Sequence, residues 1–378
     1  MKVYFDNAAS TPIDKRVVDL MHETSIKYYA NPSSVHENGR ISRSLIETSR
    51  KNIANILNTR PGNIFFTSGG TEADNMAINC TIEKYGLRHA ITTRIAHHAV
   101  LYPLEFLAKQ NKIKLSYVKI NDKGQVNLDD LNNLLKKNDR TFVSIMHANN
   151  EIGTIQPINE ISKICNNYSA IFHSDTVQTI GHYPFDMQKL DVDFMAASAH
   201  KFHGPKGIGF IYISENIDIN PLLRGGGQER NMRPGTENIC SILGMDEAMT
   251  IAYSNIIDDM HYIKNIKGYM INELRKYIRG VDFFGTSESL LNDSLYTVLT
   301  VSIPENKASE MLLFNLDILG VACSGGSACA SGALKGSHVF SCIDPNSKKT
   351  GIRFSFSKFN TKKEVDHTIK CLKKILYD

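Results

Sequence analysis

The sequence lacks the features that mark membrane, secreted and nucleic-acid-binding proteins. An apolar stretch such as residues 311–323 falls short of the roughly 18 residues that span a bilayer, and it contains Asp317. The first twelve residues carry one Lys but no apolar core, so we expect no secretory signal peptide. A net charge of +4 is small for 378 residues, which argues against direct binding to nucleic acid.

The cysteines and the common motifs exclude further classes of protein. Seven Cys, an odd number with no C-x-x-C spacing, predict free thiols in a reducing compartment and hence a cytoplasmic location. The Walker A pattern G-x-x-x-x-G-K-[ST] is absent, which argues against a nucleoside triphosphatase. A composition with 42% hydrophobic and 22% charged residues is that of a soluble globular protein.

Two kinds of segment alternate between residues 60 and 215. Short apolar or β-branched runs predict seven strands, at 64–68, 90–95, 114–120, 142–148, 170–175, 193–199 and 209–214. Helical patterns lie between most of them, at 71–84, 97–110, 129–137 and 159–167. This alternation predicts an α/β fold with a mainly parallel seven-stranded sheet between helices.

The pattern changes after the glycine-rich segment 221–239. A long helical segment is predicted from about 239 to 280, and mixed strands and helices follow it. We therefore predict a large domain over residues 1–255 and a smaller α+β domain over residues 256–378. We expect residues 1–13 to pack with the smaller domain, and a chain of this length can fill two such cores.

Polar residues follow five of the predicted strands. Taken singly, each fits a loop or a helix cap, and Thr71 with Asp74 fits a capping box. The carboxyl ends of parallel strands meet at one edge of a sheet, so the five together predict an active site. In chain order, these residues are Gly70 and Thr71, His97, Asn150, Asp175, and Lys201.

Two chemical interpretations compete for the stretch 196–214. A metal site would use His97, His173, Asp175, His200 and His203, but their spacing matches no zinc signature. A phosphate site would use the backbone N–H groups of residues 69–71 at the start of a helix. Ser198, His200 and the glycine-rich segment 224–236 would add donors, so the phosphate interpretation accounts for more of the residues.

A phosphate cup beside a reactive Lys and a buried Asp is the set that pyridoxal 5′-phosphate requires. Lys201 would attach the cofactor, and Asp175, at the end of an apolar strand, would keep the ring nitrogen protonated. Gln178 could hydrogen-bond the ring hydroxyl, and His97 could stack on the ring. The predicted cofactor is pyridoxal 5′-phosphate.

Motifs spread over nearly the full length include "YFDNAASTP", "FFTSGGTEADN", "HSDTVQTIG", "SAHKFHGPKGIG", "GGGQERNMRPGTENI" and "SGGSACASG". In this order they resemble the cysteine desulfurases of the NifS/IscS type, within the class-V aminotransferase-like enzymes of fold type I. By position, the resemblance implies catalysis by Cys329, Lys201 and His97, and binding of the substrate carboxylate by Arg353, with Asn150 beside it. For the cofactor it implies Gly70, Thr71, His97, Asn150, Asp175, Gln178, Ser198, His200 and Lys201, with Thr236 donated by a partner subunit.

The resemblance also implies a reaction and partners. L-cysteine would become L-alanine while Cys329 takes the sulfur as a persulfide. The sulfur would pass to an iron–sulfur scaffold protein or another acceptor, for iron–sulfur assembly or tRNA thiolation, and the protein would be a homodimer. No resident metal is implied, although Cys329 could hold an iron–sulfur cluster transiently. The alternatives are a selenocysteine lyase, a class-V aminotransferase, and a non-enzymatic sulfur carrier.

Cys329 lies in the Gly-, Ser- and Ala-rich loop 323–334, whose small residues cannot bury a thiol. Cys323 ends an apolar run, so we expect it to be anchored. The chain departs from the family nearby. The family usually has Ser-Ser-Gly-Ser-Ala-Cys where this loop has Gly325 in second position, and segment 336–349 is shorter than usual and adds Cys342. Lys358 stands where Arg is common.

Overall fold

The strands form two main sheets, which lie in different parts of the chain. The computed structural model describes residues 1–138, 140–304, 311–325, 337–345 and 350–377. The strands within these ranges are β1 Val3–Tyr4, β2 Ile64–Thr67, β3 His89–Thr92, β4 Lys114–Tyr117, β5 Phe142–Ser144, β6 Ile171–Asp175, β7 Phe194–Ser198, β8 Gly209–Ile213, β9 Asp282–Phe283, β10 Val298–Ile303, β11 Val321–Ala322, β12 Ser324–Gly325 and β13 Thr350–Ser355.

Polar side chains cap the first turns of several helices. Asp14 and Asn127 accept hydrogen bonds from the N–H groups of Arg16 and Asp130 in the first turns of α1 and α6. No helix in the described ranges combines the length and apolar character that crossing a membrane requires. The helices are α1 Lys15–Lys27, α2 Glu37–Ile56, α3 Gly70–Asn75, α4 Thr81–Tyr85, α5 His98–Lys109, α6 Leu128–Lys136, α7 Ile158–Asn167, α8 Ile239–Ser254, α9 Ile256–Tyr277, α10 Leu312–Ile318, α11 His338–Ile343 and α12 Lys362–Tyr377, with a π-helical turn over Met76–Cys80 joining α3 to α4.

The larger sheet, within the described part of residues 64–213, has the strand order β2-β8-β7-β6-β5-β3-β4. Neighbouring strands from β7 to β4 pair in parallel, whereas β8 runs antiparallel to both β2 and β7. Each of the seven predicted apolar runs overlaps one of these strands. The prediction of an α/β fold with a mainly parallel seven-stranded sheet is therefore confirmed.

Side chains from the larger sheet alternate between two buried layers. Phe66 and Phe172 belong to the cluster on one face, with apolar residues of α1, α2, α6, α7 and α8. Their neighbours Phe65 and Ile171 belong to the cluster on the other face, with residues of α3, α4 and α5. Because successive strand residues point to opposite faces, helices on both sides bury the sheet, except for its partly exposed edge strand β4.

The predicted helix from about 239 to 280 is two helices, so the prediction of one continuous helix was wrong. Helix α8 ends at Ser254 and α9 begins at Ile256, and Asn255 between them has φ −119° and ψ 13°. The Asn255 side chain donates to the carbonyl oxygen of Ile251 at 3.0 Å. Asn side chains compete in this way for helical backbone groups, which explains the break.

The second sheet is antiparallel, with the strand order β12-β13-β10-β9. Apolar residues of α9, α10 and α12 form its core, and buried Val3 and Phe5 near the N-terminus join the same cluster. Strand β1 pairs in parallel with β11, and Asp6 forms a bridge with Ser355. Residues 3–6 therefore lie against the second sheet, whereas Thr11 bonds to His200 and His203 beside the larger sheet. The packing of residues 1–13 with the smaller domain and the boundary between residues 255 and 256 stay predictions.

A buried ion pair covers the free edge of the larger sheet at β2. The Glu229 carboxylate accepts hydrogen bonds from the Phe66 backbone N–H at 2.8 Å and from the Arg50 guanidinium at 2.6 and 2.8 Å. Arg50 in turn donates to the carbonyl oxygen of Ile64 at 2.8 Å. The side chains of Arg50 and Glu229 thus bind the backbone N–H of Phe66 and the carbonyl oxygen of Ile64, to which a further strand could otherwise hydrogen-bond.

We predict that Glu229→Gln destabilises the protein strongly. The Arg50 side chain is 1% exposed, and the substitution leaves its buried charge without its main carboxylate. Breaking a buried pair from one side costs about 3–5 kcal/mol in the free energy of unfolding, which urea denaturation measures. The matched control is Glu215→Gln in the exposed pair with Arg60, where we expect a loss below about 1 kcal/mol. Equal losses in both variants would contradict the prediction.

Candidate active site

A cavity of about 500 Å³ lies beyond the carboxyl ends of the larger sheet. Its walls come from loops after β2, β3, β5, β6 and β7 and from residues 9 and 10 near the N-terminus. Among the residues predicted for the site, those that line it are Gly70, Thr71, His97, Asn150, Asp175, Gln178, Ser198, His200 and Lys201. The topology therefore brings together residues that are far apart in sequence.

Lys201 lies at the end of a short 3₁₀ turn, Ala199–Lys201, that follows β7 directly. Its Nζ donates to the carbonyl oxygens of Ala8 at 2.6 Å and Ala9 at 3.0 Å. Burial lowers the pKa of the Lys201 amine to about 8, and the nearby Arg353 charge lowers it further, while Asp175 and Asp6 oppose the decrease. A substantial fraction of this amine is therefore neutral and nucleophilic near neutral pH.

Asp175 ends β6 and is 6% exposed. Burial raises the pKa of its carboxyl, whereas the His97 ring, the Val177 N–H and Lys201 favour the ionised form. The Val177 N–H donates to Asp175 Oδ1 at 3.0 Å. A buried carboxylate in this position is suited to hold a protonated ring nitrogen in the cavity.

His97 and Gln178 have side-chain contacts that fix their orientation. His97 caps α5, and its Nδ1 accepts a hydrogen bond from the Ala99 N–H at 3.1 Å. Gln178 Nε2 donates to the carbonyl oxygen of Ala8 at 3.1 Å. Both residues line the cavity, so the surrounding backbone orients these side chains in advance.

The wall formed by Gly69, Gly70, Thr71, Ser198 and His200 suits an anion. Gly69 has φ 151° and ψ −174°, a conformation that essentially only glycine adopts, and a Cβ on it would lie 3.4 Å from Ser198 Oγ. His200 Nδ1 lies 3.2 Å from Ser10 Oγ. Burial lowers the pKa of His200 to about 4, with Lys201 and Lys206 adding to the decrease, so its imidazole is neutral.

Arg353 lies beside the cavity on β13 and is 8% exposed. Its Nη1 donates to the carbonyl oxygen of Asn150 at 3.0 Å, and its Nη2 pairs with Asp6 Oδ1 at 2.9 Å. Its buried Nε has no hydrogen-bond partner among the described residues. This guanidinium therefore retains donor capacity for an anion next to Lys201.

Thr236 is not part of the same cavity. It lines a separate space of about 210 Å³ together with Ser68, Gly207 and Arg233. The segment before it contains three successive residues with positive φ, Glu229, Arg230 and Asn231, and the buried contacts of Glu229 hold it in place. Within one chain, Thr236 thus lies on the other side of the loop that carries Ser68 and does not line the cavity around Lys201.

Cys329 lies outside the described residues, but both flanking segments are described. Ser324 Oγ donates to Asp6 Oδ1 at 2.7 Å, and β12 pairs with β13 beside Arg353. On the other side, His338 Nε2 lies 3.0 Å from the carbonyl oxygen of Ala96, the residue before His97. The described segments on either side, which end at Gly325 and resume at Ser337, therefore both lie close to the cavity.

Other cysteines in the described ranges have thiols that favour the protonated form. Burial raises the pKa of the Cys323 thiol to about 12, with the Asp6 charge adding to the increase. Burial also raises the pKa of the Cys342 thiol, which the Arg94 charge opposes. Since the thiolate is the nucleophile, neither position activates its sulfur.

The metal interpretation finds no support in the part of the chain that the structure describes. No group of three or more His, Cys, Asp or Glu side chains there could hold a metal ion. His203 Nδ1 lies 2.7 Å from the carbonyl oxygen of Pro12, and His200 faces Ser10, so the two rings have separate partners.

Sequence reasoning missed Asp6 and misassigned Asp74. Asp6 belongs to the quoted motif "YFDNAASTP", which was the only signal for it, and its contact with Arg353 spans 347 residues. The predicted capping box of Thr71 and Asp74 was wrong, because α3 begins at Gly70 and Glu72 accepts the Ser68 N–H instead. Asp74 is 1% exposed and lines the cavity.

Comparisons with known proteins identify the family of this chain. The family described as aminotransferase class-V matches residues 3–368. A cysteine desulfurase IscS from Dictyoglomus turgidum is 41% identical over 99% of this chain and 94% of its own length. A cysteine desulfurase IscS from Methanosarcina thermophila is 38% identical over 99% of this chain and 92% of its own.

A solved structure described as a NifS-like protein superposes with a TM-score of 0.90 at 36% identity, covering 100% of this chain and 99% of the other. The chain therefore belongs to the class-V aminotransferase family and, within it, to the cysteine desulfurases of the IscS and NifS type. Members of this family depend on pyridoxal 5′-phosphate.

We predict that Lys201 reacts as an amine of pKa about 8 in the cofactor-free protein. At pH 8 about half of it is neutral, against roughly 0.4% of a lysine of ordinary pKa about 10.4, a difference of about a hundredfold. Trace labelling with acetic anhydride, followed by mass spectrometry, measures the pH profile of Lys201. A lysine in an unstructured peptide, added to the same sample, is the internal control. A Lys201 profile with its inflection at the control's pH would contradict the prediction.

Proposed function

We propose that the chain is a pyridoxal-phosphate-dependent cysteine desulfurase that converts L-cysteine to L-alanine and collects the sulfur on Cys329. The observation that carries this proposal is the pairing of a partly neutral Lys201 and a buried Asp175 in one cavity, with Arg353 at its side. A reactive amine, a buried carboxylate and a site for a carboxylate are what an amino-acid substrate on this cofactor needs.

The residues present fit the cofactor. Gly209 and Gly69 approach so closely that a Cβ on Gly209 would lie 2.8 Å from the Gly69 Cα, which leaves the anion wall free of side chains there. We assign Lys201 to covalent attachment, Asp175 to the ring nitrogen, Gln178 to the ring hydroxyl and His97 to the ring face. The phosphate we assign to Gly70, Thr71, Ser198 and His200, with Asn150 as a further cofactor and substrate contact.

When bound, pyridoxal phosphate withdraws electrons from the substrate Cα and so makes its proton removable. We assign Lys201 Nζ to this proton, because its pKa of about 8 lets the same group take and return a proton near neutral pH. The carbonyl oxygens of Ala8 and Ala9 hold the amine at this edge of the cavity. The imidazole of His97, fixed by the Ala99 N–H, is available to carry protons from the substrate.

Arg353 is the residue we assign to the substrate carboxylate. A planar guanidinium can hold a carboxylate with two parallel hydrogen bonds, which is stronger than a single contact. Asp6 now occupies one of its nitrogens at 2.9 Å, while Nε is buried without a partner. The substrate carboxylate would therefore compete with Asp6 and supply the acceptor that Nε lacks.

Cys329 is the residue we assign to sulfur transfer. Its thiolate attacks the substrate sulfur, so the sulfur–sulfur bond of a persulfide forms as the carbon–sulfur bond breaks. The electron pair of the broken bond remains on Cβ, which takes a proton and yields alanine, so no outside oxidant or reductant is needed. Cys329 lies four positions after Gly325, a span of about 14 Å at most, which supports its reach to the cavity.

A homodimer would complete the phosphate site. Thr236 lies on a glycine-rich segment outside its own cavity, in a conformation that the Arg50–Glu229 pair anchors. We assign it to the phosphate of a second copy of this chain. We further propose that the sulfur passes in the cytoplasm to an iron–sulfur scaffold protein or another sulfur-acceptor protein, for cluster assembly or tRNA thiolation.

We predict that the protein, given L-cysteine without any keto acid, releases alanine and gains one sulfur on Cys329. Alanine release without a keto acid separates this activity from aminotransfer. Cys329→Ser should still change its cofactor absorbance with L-cysteine, because the binding groups remain, yet form no persulfide. Peptide mass spectrometry locates the added sulfur.

Cys342→Ser is the matched control, and we expect it to keep forming a persulfide on Cys329. Sulfur found on Cys342 instead, together with an active Cys329→Ser variant, would overturn the assignment. Alanine production that requires a keto acid would indicate an aminotransferase.

We predict that Arg353→Lys raises KM for L-cysteine by about ten- to a hundredfold. The ammonium cannot make two parallel bonds to the carboxylate, and a charge-assisted hydrogen bond is worth about 1.5–3 kcal/mol. Steady-state kinetics measure KM, and the absorbance of the bound cofactor should stay unchanged. Arg16→Lys changes a mostly exposed side chain that pairs with the buried Asp14 and does not line the cavity, so this control should leave KM within about twofold. An unchanged KM in Arg353→Lys would remove this residue from the site.

A further inference from the structure

A second carboxylate, Asp74, faces the same cavity as Asp175. Behind it lies His173, which is fully buried on β6. Asp74 Oδ1 is 3.3 Å from His173 Nε2. Neither atom has an aligned hydrogen-bond partner among the described residues, although both are buried. Unpaired polar atoms in this environment are costly, so the two groups need each other.

The other side of the His173 ring is already fixed. Its Nδ1 lies 2.9 Å from Ser144 Oγ, and its ring lies nearly parallel to that of Phe142, with 6.1 Å between the ring centroids. Burial lowers the pKa of His173 to about 3, so the ring is neutral and carries a single N–H. Asp74 is therefore the hydrogen-bond partner of Nε2, whether Nε2 is the donor or the acceptor.

The charges around the cavity decide which acidic group holds a proton. Burial raises the pKa of the Asp74 carboxyl well above its usual range, and the Asp175 charge raises it further. His97, Lys201 and the Val177 N–H oppose the effect of burial on the pKa of Asp175 and favour its ionised form. Among the described residues, no charge or hydrogen bond is found that lowers the pKa of Asp74, and two neighbouring buried carboxylates do not both ionise readily. The other titratable groups lining the cavity, besides these two carboxylates, are Glu72, His97, His200, Lys201 and Lys206.

We propose that Asp74 is the neutral carboxylic acid of this site: its O–H donates to Nε2 of His173, whose Nδ1–H donates to Ser144 Oγ. Asp175 is then the single ionised carboxylate of the pair. A small rotation from the 3.3 Å contact aligns the bond and satisfies both unpaired atoms. The opposite arrangement, with an N–H on Nε2 and an ionised Asp74, would place two negative charges in one buried cavity.

The consequence rests on the proposed function. With Asp74 neutral, Asp175 keeps its charge for the ring nitrogen of the cofactor, without a second buried anion that would raise its pKa. Asp74, His173 and Ser144 are thus positioning residues, which act through Asp175 rather than on the substrate. The unit extends from the cavity wall to β5, because Ser144 ends that strand.

Infrared difference spectroscopy of the full-length protein at pH 7, as purified and after cofactor removal, tests the proposal. We expect Asp74→Asn to lose the carbonyl band of a protonated carboxylic acid in both samples, while Asp175→Asn keeps it. The control is Asp14→Asn, since the hydrogen bonds and charge of Arg16 hold the pKa of this buried carboxyl well below its usual range. That variant should retain the band. If Asp74→Asn leaves the band in place, or if no such band exists, the proposal fails.

A second measurement does not depend on the folding of the Asp74 variant. Nitrogen NMR of ¹⁵N-histidine-labelled wild-type protein reports the tautomer of His173, whose signal is the one missing in His173→Gln. The proposal requires the Nδ1–H tautomer, and an Nε2–H tautomer would overturn it. Neither readout uses turnover. A protein that shows both signatures but makes no alanine from L-cysteine therefore refutes the proposed function and leaves the Asp74–His173 pair standing.

Discussion

The removal of water from charged groups at the carboxyl edge of the larger sheet is the constraint on which the site depends. Burial lowers the pKa of the Lys201 amine to about 8 and raises that of the Asp175 carboxyl. The first shift brings the amine closer to proton transfer near neutral pH, and the second is opposed by His97, Lys201 and the Val177 N–H, which favour the ionised carboxylate. The sheet makes this possible because helices cover both of its faces, so that its polar strand ends meet in one partly enclosed space.

The N-terminal segment connects this edge to the second sheet. The carbonyl oxygen of Ala8 accepts hydrogen bonds from Lys201 and Gln178, and Asp6 contacts Arg353 and Ser324. The same segment buries its apolar residues in the core of the second sheet. A few residues at the start of the chain therefore set the position of the amine relative to the guanidinium, and a shift between the two sheets would change the distance between them.

Local sequence patterns predicted the larger sheet because strand and helix periodicity depend on neighbouring residues. They also predicted Asp175, which ends one apolar run, and Lys201, which comes shortly after another. Contacts between distant residues left no such pattern: Arg50 and Glu229 are 179 residues apart. Asp74 was misassigned for the same reason, because a helix-cap pattern cannot report that the fold buries the carboxylate beside His173. Asn255 broke the predicted long helix through a side-chain bond that competes with the backbone.

Cysteines in this fold meet two different requirements: burial for packing, and access for nucleophilic attack on sulfur. Burial keeps thiols such as Cys323 and Cys80 protonated, with pKa values of about 12, which suits packing and not nucleophilic attack. A sulfur acceptor needs a less buried position that is still tied to the cavity. The described part of the atypical segment after Cys329 provides such a link to the cavity, because Val339 and Phe340 pack in one buried cluster with Ile152, which lies between β5 and α7. Buried apolar contacts therefore hold the described part of this segment, residues 337–345, near the cavity, where His338 lies against the carbonyl oxygen of Ala96.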